Sequence, residues 1–281
     1  MNIGFCVSVK GGDLSPMDRC VAAGIRIFEI YYNPEELFLN DPAAVRAHAD
    51  ALSATLASYH FPFIPFEDWD ISVPDTAERV LPVLEELIDR WSAVGITKYI
   101  VHPSGEPIED AERPARLSCA KRSLARLAAY AEARGCTVCV EDLPRTNLGN
   151  SAEEIEELIS AHPALRVCFD TNHLQGQDPA YFVRHLGGKI VATHISDCDS
   201  INERHWLPGE GELDFQSIYS ALCEVGYEGV WLYELSLGQS ITAIRPRDLC
   251  PEDIVKNAEE IFSGKKPTPF GYPKPGIGMW E

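Results

Sequence analysis

Six consecutive apolar segments of the chain each end in a residue type that commonly binds metal ions. These endings are His60, His102, Glu141 followed by Asp142, Asp170 with His173 just beyond, His194 and Glu234. A single histidine or carboxylate in such a place is more often a hydrogen-bonded core residue or a helix cap. Carboxylates buried side by side, however, cost several kcal/mol per charge unless a cation compensates them. The sequence therefore predicts a divalent cation held by four side chains, namely Glu141, Asp170, His194 and Glu234.

The residue types around this predicted site leave the identity of the cation open. Three oxygen ligands and one nitrogen ligand suit Mn²⁺, Mg²⁺ or Co²⁺ and also tolerate Zn²⁺. Basic side chains could supply the compensating charge instead, but the candidates, Arg145 and Arg204, both fall in predicted loops. Cys136 and Cys139 have metal-like spacing, yet they belong to a strand-like run in which they would point to opposite faces. We expect these two thiols to be buried core residues.

The segments that must position these residues alternate between strand-like and helix-like patterns. Strand-like runs occupy residues 3–9, 25–31, 55–60, 98–102, 136–141, 166–170, 189–195 and 229–235. Apolar residues at helical spacing fill the stretches between them, most clearly in 76–94 and 115–134. Predicted N-caps stand at Ser15, Asp41, Ser151 and Asp178, and predicted C-terminal glycines at Gly24, Gly95, Gly135 and Gly226.

Eight repeats of strand and helix predict an α/β protein with a single (β/α)8 TIM barrel. The alternative is an open doubly wound sheet, but no glycine-rich dinucleotide turn follows the first strand. We expect the barrel to occupy residues 1–263. The Pro- and Gly-rich tail, 264–281, either packs on the barrel or reaches a neighbouring subunit through Phe270, Tyr272 and Trp280, and the sequence leaves both possibilities open.

One connection is much longer than the others, at about residues 196–213. Long loops in compact α/β proteins are commonly functional, since most connections contain only about 2–6 residues. Gly209 and Gly211 in this loop form a G-x-G sequence, which alone is weak evidence for phosphate binding.

The composition argues against several classes of protein. The 281 residues include 24 basic and 43 acidic side chains, a formal net charge of −19. Such a surplus of acid repels phosphate backbones and anionic membranes, so nucleic-acid binding and membrane association are disfavoured. No uncharged apolar stretch approaches the ~18 residues of a bilayer crossing, and the start of the sequence lacks a signal-peptide pattern. Together with nine scattered cysteines, these features predict a cytoplasmic protein.

Five motifs in the second half of the chain resemble the xylose-isomerase-like barrel superfamily. They are VEDLP with Glu141, FDTNH with Asp170 and His173, THISD with His194, ERHWLPGEGELDF, and YELS with Glu234, while the first half contributes mainly His60 and His102. The superfamily includes tagatose and psicose 3-epimerases, hydroxypyruvate isomerase, inosose dehydratase and endonuclease IV. The resemblance implies one ion, usually manganese, magnesium or cobalt, at the four predicted ligands. It also implies substrate contacts from His173, Arg204 and His205, and a dimer or tetramer.

We therefore predict a metal-dependent sugar isomerase or epimerase that acts on a small sugar or a polyol-derived keto acid. The ion would chelate the substrate carbonyl and the adjacent hydroxyl and stabilise an enediolate. Glu141 and Glu234 are the predicted catalytic residues, which would remove a proton from the neighbouring carbon and return it. His60 and His102 are predicted to line the mouth as substrate-binding residues or to hold a second ion.

Three alternatives follow from the same residues. A dehydratase of the inosose dehydratase type would use the same ion and expel a hydroxyl group. An endonuclease IV-like phosphodiesterase would hold three zinc ions through nine residues: His60, His102, Glu141, Asp170, His173, His194, Glu203, His205 and Glu234. Glu203 stands where that branch has aspartate, and the acidic chain lacks the Lys and Arg that phosphate neutralisation needs. A carbohydrate-binding barrel without catalysis is the third alternative.

Overall fold

Eight parallel strands supply the framework on which the predicted site residues stand. The computed structural model describes residues 1–31, 41–238 and 240–278. The strands are β1 (Asn2–Ser8), β2 (Ile27–Tyr31), β3 (Thr55–His60), β4 (Lys98–Val101), β5 (Thr137–Glu141), β6 (Arg166–Asp170), β7 (Ile190–His194) and β8 (Val230–Tyr233). Their boundaries lie within two residues of the predicted runs, because each run is apolar and is bounded by turn residues.

The sheet closes into a barrel. The strands pair in the order β7-β6-β5-β4-β3-β2-β1-β8. Beyond the end of β7, Ile195 pairs in parallel with Tyr233, and the Ile195 amide donates to the Leu232 carbonyl oxygen at 2.8 Å. The predicted (β/α)8 barrel is therefore confirmed. All eight strands run in one direction, so their carboxyl ends converge on a single mouth.

The helices cover the outside of the barrel and follow the predicted order. They are α1 (Ser15–Ala22), α2 (Pro42–Ala51), α3 (Phe66–Trp69), α4 (Pro74–Ser92), α5 (Arg113–Glu132), α6 (Ala152–Ile159), α7 (Pro179–Leu186), α8 (Phe215–Glu224) and α9 (Pro251–Phe262). The side chains of Asp41, Ser151 and Asp178 accept backbone N–H groups at helix starts, as predicted. The four predicted C-terminal glycines have φ values between 69° and 100°, the left-handed conformation that ends a helix.

The predicted N-cap at Ser15 is wrong. Ser15 is already the first residue of α1, and Leu14 occupies the N-cap position without a side-chain bond to the helix. The carboxylate of Asp13 instead accepts the Ser15 N–H at 3.0 Å. The physical reason is that the carboxylate of Asp13 already accepts the exposed N–H group at the start of α1, so the helix begins without a serine cap.

The described part of the tail packs on its own barrel. Residues Tyr272–Pro273 (β10) pair antiparallel with Ala243–Ile244 (β9). Phe270 packs against the hydrophobic core, and the guanidinium of Arg247 lies 4.7 Å from the centre of its ring. Trp280 lies outside the described residues, and the predicted domain boundary at residue 263 stays a prediction. Among the helices that the structure describes, none has the length and hydrophobicity that a bilayer crossing requires.

The long loop between β7 and α8 is organised by a buried carboxylate. Asp197 accepts four backbone N–H bonds of 2.8–3.1 Å, from Cys198, Gly209, Gly211 and Leu213. The two glycine amides that the sequence offered as weak evidence for a phosphate site are therefore engaged with Asp197. Because Asp197 lies three residues after the end of β7, these bonds fix the loop to the mouth of the barrel.

We expect Asp197→Ala to lower the free energy of unfolding by on the order of 3 kcal/mol, because four backbone amides lose their acceptor. Glu212→Gln, an exposed change in the same loop, should leave stability unchanged. Urea denaturation measures both effects, and hydrogen exchange should show loss of protection at Gly209 and Gly211. An unchanged midpoint for Asp197→Ala would mean that the loop is held by other contacts.

Candidate active site

The four predicted cation ligands come together at the mouth of the barrel. Glu141, Asp170 and His194 are the last residues of β5, β6 and β7, and Glu234 directly follows β8. One ligand atom from each of the four lies within 4.8 Å of every other. Asp170 lies opposite His194 in the sheet, and Glu141 lies opposite Cys168, two residues before Asp170. Parallel pairing therefore brings the carboxyl ends of these strands together, although the residues are distant in sequence.

The imidazole of His194 is the centre of this group. Its Nδ1 atom lies 2.8 Å from Glu141 Oε1, 3.4 Å from Glu234 Oε2 and 3.9 Å from Asp170 Oδ2. The Oδ2 atom of Asp170 is buried and has no hydrogen-bond partner among the described residues. A buried carboxylate oxygen without a partner, facing two further carboxylates and an imidazole, fits a divalent cation with a preference for oxygen ligands.

Burial and nearby positive charge have opposite effects on the carboxylates of the group. Burial raises the pKa of Asp170 from 3.8 to about 7. Burial acts on Glu141 in the same direction, but the positive charges of His194 and His102 outweigh it and hold the pKa of Glu141 well below its ordinary value. The group therefore contains carboxylates whose ionisation depends on nearby positive charge.

Glu29 belongs to the site, and the sequence reasoning missed it. This residue lies inside β2 with 1% of its surface exposed, and its Oε1 is 2.9 Å from His194 Nε2. Its Oε2 accepts a 2.6 Å bond from the hydroxyl of Ser58. With a cation present, His194 would donate only from Nε2 to Glu29, and the Nδ1 lone pair would be free to bind the cation. The available signal was an acidic residue in the middle of an otherwise apolar strand, IRIFEIY.

His60 and His102 both approach Glu141. The Nε2 atom of each lies 3.1 Å from Glu141 Oε2. His60 is 1% exposed, and its Nδ1 lies 2.7 Å from the carbonyl oxygen of Phe61. The structure thus places His60 behind Glu141, whereas His102 lines the open cavity. Of these two residues, both predicted to line the mouth, His102 lies among the described residues that line the cavity and His60 does not.

His173, Glu203 and His205 form a second group of ligand atoms within 4.8 Å of one another. His173 Nε2 lies 3.1 Å from Glu203 Oε2, and its Nδ1 lies 2.7 Å from the carbonyl oxygen of Asp142. The side-chain oxygen of Asn172 accepts the backbone N–H groups of Arg204 and His205 at 2.8 and 3.3 Å. Asn172 therefore fixes the loop that carries this second group.

Arg204 lies away from the cavity. Its side chain is fully buried, with Nε 2.9 Å from Asp199 Oδ2 and Nη2 2.8 Å from the carbonyl oxygen of Gly278. The contacts that the structure gives this predicted substrate-binding residue join the long loop to the tail. His173 and His205, the other two residues predicted from the resemblance, do line the cavity.

The cavity above the carboxylate group has a volume of about 310 Å³. One side of it is polar and is formed by His102, Glu141, His173, Glu203, His205 and Glu234. The other side is apolar and aromatic and is formed by Tyr31, Phe63, Ile64 and Phe66. Its size and its mixture of charged and aromatic walls suit a small polyhydroxylated ligand.

Comparison with known proteins gives the family. The family described as "xylose isomerase-like TIM barrel" matches residues 17–252. The chain belongs to this family. Among solved structures, an L-ribulose 3-epimerase superposes with a TM-score of 0.71 at 25% identity, over 84% of this chain and 82% of that one.

Two curated relatives indicate the range of activities in the family. L-ribulose 3-epimerase from Mesorhizobium japonicum is 32% identical over 173 residues, which is 57% of this chain and 56% of that protein. 3-Dehydroshikimate dehydratase from Pseudomonas putida is 25% identical over 236 residues, which is 79% of this chain and 36% of that protein. The chain thus spans about half the length, or less, of most curated relatives it matches.

We expect Asp170→Asn to stabilise the cation-free protein at pH 8 by roughly 1–3 kcal/mol. Between about pH 4 and pH 7 the folded protein retains a proton on Asp170 that the unfolded chain has released, so the stability of the wild type falls as the pH rises through this interval. Asparagine does not ionise, so the stability of the variant should lack this fall between about pH 4 and pH 7. Denaturation of chelator-treated protein at pH 4.5 and pH 8 measures the difference, and the exposed change Glu228→Gln is the control. A variant less stable than the wild type at pH 8 would contradict the argument.

Proposed function

We propose that this protein is a divalent-cation-dependent sugar epimerase or isomerase that transfers a proton at the carbon next to a ketose carbonyl. The observation that carries the proposal is the buried group of Glu141, Asp170, His194 and Glu234 at the base of a cavity of sugar size. Membership of the family and the similarity to an L-ribulose 3-epimerase support the same reaction class. The substrate we propose is a small sugar.

The four residues would hold one cation, for which Mn²⁺, Mg²⁺ and Co²⁺ are the best candidates and Zn²⁺ is possible. When bound, the cation would polarise the substrate carbonyl and stabilise the enediolate that forms on loss of the proton. The unpartnered oxygen of Asp170 and the orientation of His194 by Glu29 are the features that fit this role.

Glu141 and Glu234 are the proposed acid–base pair. They stand at the two ends of the arc formed by β5 to β8, so a substrate between them meets one carboxylate on each side. Glu141 is 1% exposed, and 15% of the Glu234 side chain is accessible. One carboxylate takes the proton from the substrate carbon onto an oxygen, and either returns it. Return to the opposite face gives epimerisation, and return to the adjacent carbon gives isomerisation.

Three histidines would orient the sugar. His102, His173 and His205 line the cavity. His173 is held by the carbonyl oxygen of Asp142 and by Glu203, so its ring is fixed before a ligand arrives. A polar wall that is fixed in this way selects hydroxyl positions, because a misplaced hydroxyl would leave a buried polar group without a partner.

A dehydratase is the second candidate, because the match to 3-dehydroshikimate dehydratase covers 79% of this chain. It would begin with the same proton removal and would then expel a hydroxyl group from the next carbon as water. Mass spectrometry of the products separates the two, since dehydration lowers the substrate mass by one water and epimerisation leaves the mass unchanged.

The phosphodiesterase alternative has less support. Its nine residues are present, but the net charge of −19 disfavours a phosphate backbone. The arginines of the loops that follow β5 and β7 are both engaged with carboxylates, Arg145 with Glu106 and Glu203, and Arg204 with Asp199. A phosphate would have to compete with these carboxylates for either arginine.

We expect Glu29→Ala to weaken Mn²⁺ binding about 10- to 100-fold, because His194 loses the acceptor that orients its ring. The amide oxygen of Glu29→Gln can still accept from His194 Nε2. The Mn²⁺ affinity of this variant should therefore lie between those of Glu29→Ala and the wild type. Ser58→Ala removes only the hydroxyl that supports Glu29 and serves as the matched control, with a smaller effect. Isothermal titration calorimetry measures the affinities. Equal affinity in Glu29→Ala and wild type would show that His194 is oriented without Glu29.

We expect Glu141→Gln to reduce exchange of the substrate α-proton with solvent deuterium by at least about 10²-fold. The exchange is followed by proton NMR on a panel of ketoses in heavy water with saturating Mn²⁺. Glu228→Gln, an exposed change at the opposite end of the barrel, should exchange like the wild type. Full exchange by Glu141→Gln would refute the proposed acid–base role.

A further inference from the structure

A second cavity adjoins the first and is larger than an unsubstituted ketose requires. Its volume is about 880 Å³, and it shares Phe66 and His173 with the inner cavity. Binding pockets that enclose drug-sized ligands have volumes of about 300–1,000 Å³, so the inner cavity lies at the low end of this range and the outer cavity near the high end. A small sugar held at the carboxylate group would occupy the inner cavity and leave the outer one to solvent.

The outer cavity is built from five consecutive loops at the mouth of the barrel. Phe66 follows β3, Glu106 and Pro107 follow β4, Arg145 follows β5, Gln175 follows β6 and Ile201 follows β7. These loops belong to the same face as the carboxylate group, where ligands of this fold bind. The cavity is therefore continuous with the proposed substrate site.

Part of the wall of the outer cavity is apolar. Phe66, Pro107 and Ile201 all face this cavity. Ile201 is 51% exposed, one of few large apolar side chains in the described residues with so much accessible surface. Exposed apolar surface inside a concave site commonly marks a contact with a ligand.

The charges on the wall compensate each other. Arg145 is the only lysine or arginine among the described residues that line the cavity. Its Nε lies 2.8 Å from Glu106 Oε1, and its Nη2 lies 2.8 Å from Glu203 Oε1. Two carboxylates thus neutralise one guanidinium, so a phosphate group would meet net negative charge here.

The geometry points to a substrate that is a keto sugar carrying an uncharged, largely apolar substituent, with the substituent in the outer cavity. This inference rests on the proposed function for the reacting end of the sugar. The apolar wall would cover the substituent, and the neutralised Arg145 would give phosphate no advantage.

The test uses the full-length wild-type chain, saturated with Mn²⁺, and two unreactive polyols, D-glucitol and 6-O-benzyl-D-glucitol. Because neither polyol has a carbonyl group, calorimetry measures binding independently of turnover. We expect the benzyl ether to bind at least about tenfold more tightly than the parent polyol. D-Glucitol 6-phosphate should bind no more tightly than D-glucitol. Equal affinity for the benzyl ether and D-glucitol would overturn the inference, and so would a higher affinity for D-glucitol 6-phosphate than for D-glucitol.

A matched pair of variants locates the effect. Ile201→Asp places a charge in the outer cavity and should remove the preference for the benzyl ether. Ile241→Asp makes the same change at a residue that is 77% exposed and lines neither cavity, and it should keep the preference. A benzyl preference that survives in Ile201→Asp would place the substituent elsewhere and overturn the inference.

Deuterium exchange separates this inference from the proposed function. Exchange of the α-proton of ketoses, with no benzyl preference among the polyols, would uphold the function and overturn the inference. A benzyl preference that depends on Ile201, without exchange in any free or benzylated ketose, would uphold the assignment of the outer cavity and refute the function.

Discussion

The burial of several carboxylates around one imidazole is the constraint on which the rest of the structure depends. Glu29, Glu141 and Asp170 are each at most 1% exposed, and His194 is fully buried between them. Like charges at such separations repel strongly in a medium that screens poorly, so the arrangement needs a rigid frame and compensating positive charge. The barrel supplies the frame through continuous strand pairing, and the imidazole supplies part of the compensation.

Much of this architecture could be predicted from the sequence because it depends on local patterns. Apolar runs bounded by glycines and helix caps indicated the eight strands, and polar residues at the strand ends indicated the four residues that meet at the mouth of the barrel. Those signals are local, and parallel pairing converts them into spatial proximity without further information. The start of α1 escaped prediction because Asp13 and Ser15 both can accept an amide, and only the local backbone decides between them.

Side-chain partners within the site could not be predicted, since they depend on the packing of distant segments. Glu29 is 165 residues from His194 in sequence, and nothing near either residue indicates that they meet. Arg204 matched a substrate-binding position by motif, but Asp199 and the carbonyl oxygen of Gly278 hold its side chain away from the cavity. A motif indicates which residues lie in a loop, whereas their hydrogen bonds depend on how that loop folds against its neighbours.

The anchoring of the long loop has a thermodynamic consequence for recognition. Asp197 holds four of its amides and Asn172 holds two more, so the backbone beside His205 is ordered by intramolecular bonds. A ligand that enters the mouth then has to order little of this loop, so the entropic cost of binding is reduced. Recognition at this rim should resemble that of a rigid receptor, in which selectivity comes from shape and hydrogen-bond geometry rather than from loop closure.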